Sequence, residues 1–327
     1  MANSSDYADN YAIVADIGGT NARFSRVNLT SLLLDKVAVY PCATFASLAD
    51  ALVHYQQEQH LTELKHVAIA IACPVTGDEV SMTNFHWHFS ISAMQRQLGL
   101  SRLLVMNDFT AVAMSLPALA ANDKVQVGQG AVQQHLPMAV LGAGTGLGVA
   151  HLINVSGQFV PLPGEGGHVD WAAQTEQEWF IQQILTKEYG HVSPERILSG
   201  PGLEAIYRAL ALYRRLDVAP LSAGDIGSMA LAGSSELASA TVAQFFASLG
   251  SIAGDLALTL SAFGGVYVAG GIAPKLLPLL PASEFRSRFE AKGRFSAFNR
   301  QIATYIVTAP QPGLLGAAVY LKQSLAN

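Results

Sequence analysis

Two stretches decide how this chain is read: Ala15-Asp16-Ile17-Gly18-Gly19-Thr20-Asn21-Ala22-Arg23 near the start, and Leu141-Gly142-Ala143-Gly144-Thr145-Gly146-Leu147-Gly148 before the middle. Each follows an apolar strand-like run and leads into another, so each reads as a tight hairpin turn. Neither ends in Gly-Lys-Ser/Thr, which excludes a Walker A loop. Neither sets GxGxxG in register before a helix, which leaves dinucleotide binding unsupported. What both offer is bare backbone N–H and a threonine hydroxyl, the makings of an anion-binding concavity for phosphates. One such turn alone would read as an ordinary glycine hairpin. Two at matching positions of a repeated pattern point to phosphate. Asp16 adds a carboxylate where a phosphate-bound Mg2+ would lie, directly or through water.

Outward from the turns the pattern repeats. Strand-like runs at 11–16, 22–28 and 36–42 precede an amphipathic helix at 47–59 and a buried strand at 66–72. A short helix at 91–98, a strand at 102–107 and a helix from 109 complete the order βββαβαβα. The second half restarts with strands at 138–142, 148–154 and 158–162. A helical region at 176–262 follows, broken at Gly200, Pro201, Gly202 and Pro220. Then come a strand at 266–269, a helix after Pro274, a strand at 302–307 and a closing helix at 313–325. Repetition on this scale predicts two related α/β lobes facing each other across a cleft, the second enlarged by helices.

Composition agrees. A chain of 327 residues, half hydrophobic and 13% charged, suits a globular enzyme with a large core and excludes a disordered chain. The longest apolar candidate, 237–263, is interrupted by Gln244 and Asp255 and reads as a core helix rather than a membrane span. The polar opening MANSSDYADN has no secretory character. Cys42 and Cys73 build neither a disulfide framework nor a zinc site and read as buried thiols. A net charge of −5 argues against nucleic acid as a partner. The expectation is a cytoplasmic protein bound to neither membrane nor nucleic acid.

The remaining polar candidates differ in weight. Asn107-Asp108 ends a buried strand where Phe109 begins a helix, so Asp108 reads both as an N-cap and as a carboxylate at the ligand-binding edge of a sheet. In Pro163-Gly164-Glu165-Gly166-Gly167-His168, Glu165 and His168 have no capping or packing duty and suit a reader of sugar hydroxyls. Glu195, in Ser193-Pro194-Glu195-Arg196, reads as an ordinary helix start. Gly270-Gly271 would let a flat ligand approach the backbone, a weak signal alone. His86-Trp87-His88 has metal-like spacing but no third ligand nearby, so plain strand histidines are the better reading.

With these residues quoted, the chain resembles the bacterial glucokinase family, within the hexokinase, actin and Hsp70-type ATPase fold. ADIGGTNAR, Thr83-Asn84 with Trp87, NDFTAVA from Asn107, LGAGTGLG from Leu141, PGEGGH from Pro163, ERILSGPGL from Glu195, VAGGIAPK from Val268 and QPGLLGAAVY near the end carry the likeness in order. The resemblance implies an α/β fold of two duplicated ribonuclease H-type lobes. The small domain would be 1–117 plus 310–327 and the large one 118–309. It implies that Ala15 to Asn21 (Asp16, Ile17, Gly18, Gly19 and Thr20 included), with Gly144, Thr145 and Gly146, hold the ATP phosphates. Gly270 and Gly271 would lie near adenosine. Asn107, Asp108, Glu165, His168 and Glu195 would ring the hexose, against the structural reading of Glu195 above. Asp108 would be the catalytic base for the glucose 6-hydroxyl, with a carboxyl near its usual value of about 4. ATP, Mg2+, glucose and a homodimeric partner follow from the same likeness. The chain departs from the ROK kinases (repressors, open reading frames and kinases), whose cysteine-rich zinc motif two isolated cysteines cannot supply. Another hexose as substrate, a non-catalytic sugar sensor and a filament-forming ATPase are the rival readings.

Overall fold

The computed structural model describes residues 10–326; residues 1–9, most of the polar opening, and residue 327 lie outside the described residues. In chain order the strands and α-helices are β1 (Tyr11–Ile17), β2 (Asn21–Asn28), β3 (Leu34–Pro41), α1 (Leu48–Glu58), β4 (His66–Ile71), β5 (Glu79–Ser81), β6 (His88–Ser90), α2 (Ile91–Gln97), β7 (Arg102–Asn107) and α3 (Asp108–Ser115). Next come β8 (Lys124–Val127), β9 (Met138–Ala143), β10 (Leu147–Val155), β11 (Gln158–Gly164), α4 (Glu176–Tyr189), α5 (Gly200–Tyr213), α6 (Ala223–Ala232) and α7 (Glu236–Leu260). The chain ends with β12 (Val266–Ala269), α8 (Phe285–Glu290), α9 (Ser296–Arg300), β13 (Thr304–Val307) and α10 (Pro312–Leu325). The fold is mixed α/β. It divides into two compact units, Met1–Ala120 with Gln158–Pro163 and Ala309–Asn327, and Ala121–Gly157 with Gly164–Thr308. The first division falls at Ala120 rather than 117, and the segment Gln158–Pro163 groups with the first unit rather than the second.

In the first unit the strands lie in the order β3-β2-β1-β4-β7. β1 is antiparallel to β2 and parallel to β4, and β4 is parallel to β7. Alternation along β1 sends Ile13, Ala15 and Ile17 into one core with Phe24, Leu52 and Tyr55. It sends Ala12 and Val14 to the opposite face, with Ala68, Ala70, Ala111, Leu314, Ala317 and Leu321. The alanines on that second face let α10 approach closely. A Cβ at Gly316 would overlap the Ala111 carbonyl oxygen, so α10 rests on the backbone of α3. α1 starts where Ser47 accepts from Asp50 N–H, and it buries Leu48, Ala51, Leu52 and Tyr55, the spacing of a single helical face.

The second unit repeats the pattern of its neighbour's central strands. β9 is antiparallel to β10 and parallel to β12, which is parallel to β13; β8 pairs antiparallel with β13. Val266 and Val268 face the core below the sheet with Phe245, Phe246 and Leu249 of α7. Helix α7 is 25 residues long and apolar enough by length and composition to cross a membrane, but 83% of its most apolar window is buried inside the protein. It is a core helix. Glu178, 1% exposed, is compensated by Arg288, which donates to Oε1 at 2.9 Å and Oε2 at 3.1 Å.

Two expectations need correction. The region after Pro274 is a 3-10 turn, Leu277–Ala282, not an α-helix, because Pro278 and Pro281 have no N–H for the i→i−4 ladder. Gly200-Pro201-Gly202 starts a helix rather than breaking one: Ser199 caps it by accepting from Gly202 N–H at 3.0 Å. Strands β5, β6 and β8, three or four residues each, are too short to leave a periodic signature.

Candidate active site

In the first unit the site grows from the ends of β1 and β7. Asn107, the last residue of β7, caps α3: its Oδ1 accepts from Phe109 N–H at 2.9 Å and Thr110 N–H at 3.2 Å. The cap is thus Asn107, not Asp108. Its amide nitrogen donates to the Cys73 carbonyl at 3.3 Å and to Asp108 Oδ1 at 2.9 Å. Phe109 N–H also donates to Asp108 Oδ1, at 2.8 Å, while Oδ2 accepts from no other residue among those described. Burial pushes the Asp108 carboxyl up to about 6. The Phe109 N–H and the Asn107 amide pull it down, and the Asp16 charge raises it further. The expected value near 4 does not hold in this setting, because sequence carries no measure of desolvation.

Asp16 is the penultimate residue of β1, and burial raises its carboxyl too, partly offset by Arg23 with Nη1 at 3.5 Å from Oδ2. It lies against the start of α10: a Cβ at Gly313 would come within 3.3 Å of its Cγ. The glycine turn beyond it closes through Gly18 N–H to the Asn21 carbonyl at 3.0 Å. Cys42 braces it, donating its N–H to Thr20 O at 2.8 Å and its thiol to Gly18 O at 3.4 Å. Thr20 and Asn21 are exposed, while Gly19 faces the Asn84 side chain. Ala15 and Ile17, expected to belong to the phosphate turn, are core side chains with 0% exposure. Both thiols are buried and free, and the histidines flanking buried Trp87 are exposed, His88 pairing with Glu79.

In the second unit the turn between β9 and β10 closes through Gly144 N–H to Gly146 O at 2.8 Å. Glu195, read from spacing alone as a helix start, reaches this turn: its Oε2 accepts from Leu147 N–H at 2.9 Å. His168 Nε2 stands 3.9 Å from the same oxygen. The Glu165–His168 loop lies on β10 because Gly166 abuts Val149 and a Cβ at Gly167 would overlap the Leu147 carbonyl. Glu165 and His168 are exposed. Gly270, at φ +82°, presses on Ala143, so the strand end that carries it touches the base of the turn.

Beside this turn is a cavity of about 530 Å³ lined by Gly144, Thr145, Pro201, Gly227, Gly271 and Lys275 among others. Its size suits a nucleoside, and its walls of Leu203, Leu231, Ile272 and Leu276 suit a flat aromatic base. Sequence reading reached Gly144, Thr145 and Gly271 but missed Pro201, Gly227, Ser228 and Lys275. The one available signal is Gly200-Pro201-Gly202, whose composition reads as a helix break. No three His, Cys, Asp or Glu side chains among the described residues gather as a metal-ligating group.

The glucokinase family model matches residues 13–324. The chain is 48% identical over 315 residues to the glucokinase of Yersinia pestis (strain Pestoides F), covering 96% of this chain and 97% of that one. Among solved structures, a glucokinase from an Antarctic psychrotroph superposes with a TM-score of 0.88 at 37% identity, covering 95% and 98% of the two chains. A Balamuthia mandrillaris glucokinase solved with glucose gives 0.76 at 22% identity over 96% and 94%, a likeness of fold. The chain belongs to the glucokinase family, enzymes of ATP-dependent glucose phosphorylation.

Proposed function

We propose that this chain transfers the terminal phosphoryl group of ATP to the 6-hydroxyl of glucose, with Asp108 as general base. The observation that carries the proposal is the Asp108 carboxyl, fixed through Oδ1 by Asn107 and Phe109 and raised to about 6 by burial. Such a group is ionised at neutral pH yet basic enough to take a proton as the bond to phosphorus forms. The O6–H proton passes to Asp108 Oδ2, O6 bonds to the terminal phosphorus, and the bond from that phosphorus to the bridging oxygen breaks to leave ADP. Phosphoryl transfer asks mainly for alignment and charge stabilisation, so a carboxylate held by two donors matters more than a strong base.

The glycine turns at 18–21 and 144–146 would present N–H groups to the phosphates, and the cavity at Gly271 and Lys275 would take adenosine. Asn107, Glu165, His168 and Glu195 would read the sugar hydroxyls. A hexose lacking one of these hydroxyls would leave a carboxylate unpaired, which is the basis for selectivity among sugars. Mg2+ fits the donor set: one carboxylate, Asp16, partly buried and beside a single guanidinium, suits an ion held mostly by phosphate and water. When bound, it would neutralise phosphate charge. The matching order and direction of β2-β1-β4-β7 and β10-β9-β12-β13 supports reading the units as duplicated actin/hexokinase-like lobes. A cytoplasmic homodimer serving the first step of glycolysis belongs to the same proposal.

The test is ADP and glucose 6-phosphate formation from ATP·Mg2+ and glucose, read by a dehydrogenase specific for the 6-phosphate. Asp108→Ala is expected to lose turnover by about 10²–10⁴-fold or more while still binding glucose. Full turnover in the variant would remove Asp108 from the mechanism, and no product in wild type would remove glucose.

A further inference from the structure

We infer that Glu195 couples the two ligands: the carboxylate that reads the sugar also sets the N–H of the turn that receives the ATP phosphates. The inference rests on the proposed function and deepens it.

The turn 144–147 is held at both ends by one short segment. At one end, Leu147 N–H donates to Glu195 Oε2 at 2.9 Å. At the other, Gly200 N–H donates to Gly144 O at 2.8 Å. The two anchors are tied together through Ser199, whose hydroxyl donates to the Glu195 carbonyl at 2.7 Å while capping α5. Glu195 Oε1 accepts nothing among the described residues, and the side chain is 28% exposed, so a sugar hydroxyl can reach that oxygen.

Gly146 shows how closely the parts fit. A Cβ there would stand 2.5 Å from Glu195 Oε2. Its φ lies outside the left-handed region, so the backbone does not demand glycine; room for the carboxylate does. Leu147 completes the link on its other side, since its carbonyl is the atom that Gly167, next to His168, must clear. One residue, Leu147, therefore touches both sugar-reading elements of this unit, through its N–H and its carbonyl.

The physical consequence follows from ordering. A hydroxyl bonded to Oε1 fixes the rotatable Glu195 side chain, and Oε2 then holds the Leu147 N–H and the turn in one arrangement. The nucleotide binds a turn already ordered, so the conformational cost is met once for two ligands. Linkage requires the effect to be reciprocal, and couplings of this kind are typically about 5–150-fold.

The experiment is calorimetric titration of AMPPNP·Mg2+ with and without saturating glucose, on wild type, Gly146→Ala, Glu195→Asp and Glu195→Gln. In wild type, glucose is expected to tighten AMPPNP by at least about fivefold. Gly146→Ala, which displaces the carboxylate, and Glu195→Asp, which shortens it, are expected to bring that factor below about two. Glu195→Gln keeps an acceptor for Leu147 N–H and should retain part of it. A merely structural role would weaken each ligand alone and leave the ratio unchanged; that result in Gly146→Ala and Glu195→Asp overturns the inference. So does a wild type that binds both ligands without coupling. A wild type that binds neither ligand refutes the proposed function itself.

Discussion

The two glycine turns occupy the same place in their units, each between an antiparallel pair of strands beside a parallel neighbour, yet they are supported differently. At the first, the acid belongs to the turn's own strand: Asp16 is nearly at the end of β1, backed by Gly313 of α10 and faced by Arg23. The thiol and N–H of Cys42 hold the loop in shape. At the second, the turn carries no acid, and the carboxylate arrives from Glu195, 48 residues beyond the N–H it accepts from. A carboxylate on the strand moves only with the sheet, whereas one brought in from elsewhere can respond to what else it binds. On the proposed reading, the first turn is built for fixed charge placement and the second for communication.

That contrast predicts different losses. Asp16→Ala should lower kcat by about 10²–10³-fold, as removal of a transition-state charge partner does. It should raise the Mg2+ concentration needed for half-maximal rate and leave glucose affinity within about threefold. Glu195→Ala should instead weaken glucose by about 10–100-fold, the worth of a hydrogen bond to a charged group, and weaken ATP with it. Steady-state kinetics with glucose, ATP and Mg2+ each varied separates the two patterns. Identical kinetic signatures from both variants would dissolve the distinction.

A smaller effect tests the support beneath the first turn. Gly316→Ala cannot be accommodated without lifting α10 from the Ala111 carbonyl. It should cost about 1–3 kcal/mol of stability by urea denaturation. The displaced helix also carries Gly313 away from Asp16, so kcat should fall severalfold with glucose KM unchanged. Unaltered stability would mean that the close packing of α10 on α3 is not a constraint.

How much of this was legible beforehand depended on whether the signal was local. The glycine turns and the Asn107-Asp108 strand end are local patterns, as are the Gly-rich loop around Glu165 and His168 and the core character of residues 237–263. All were visible in the sequence. Glu195 was reached only through the family resemblance: its spacing alone is that of a helix start, and its tie to Leu147 joins residues far apart in the chain. Ala15 and Ile17 entered the nucleotide site through the family resemblance; strand alternation turns both side chains into the core, which leaves their backbone as what they can offer a ligand. Pro201, Gly227 and Lys275 come together only when α5, α6 and the segment after β12 pack around one cavity. The proline-rich 277–282 segment shows a different failure, in which apolar content suggested a helix and missing N–H groups forbade one.

The elevated Asp108 carboxyl is the property that sequence could least supply, and it bears directly on the chemistry. Since the base must be ionised, activity should be present above its pKa and lost as pH falls through it. The decisive measurement is therefore kcat/KM for glucose against pH at saturating ATP·Mg2+, in wild type and in Asp108→Asn. The expected result is a wild-type acid limb centred at about 6, and a low residual rate in the variant without that limb. A wild-type rate that stays level well below 6, or an Asp108→Asn profile with the same limb, would contradict Asp108 as the base.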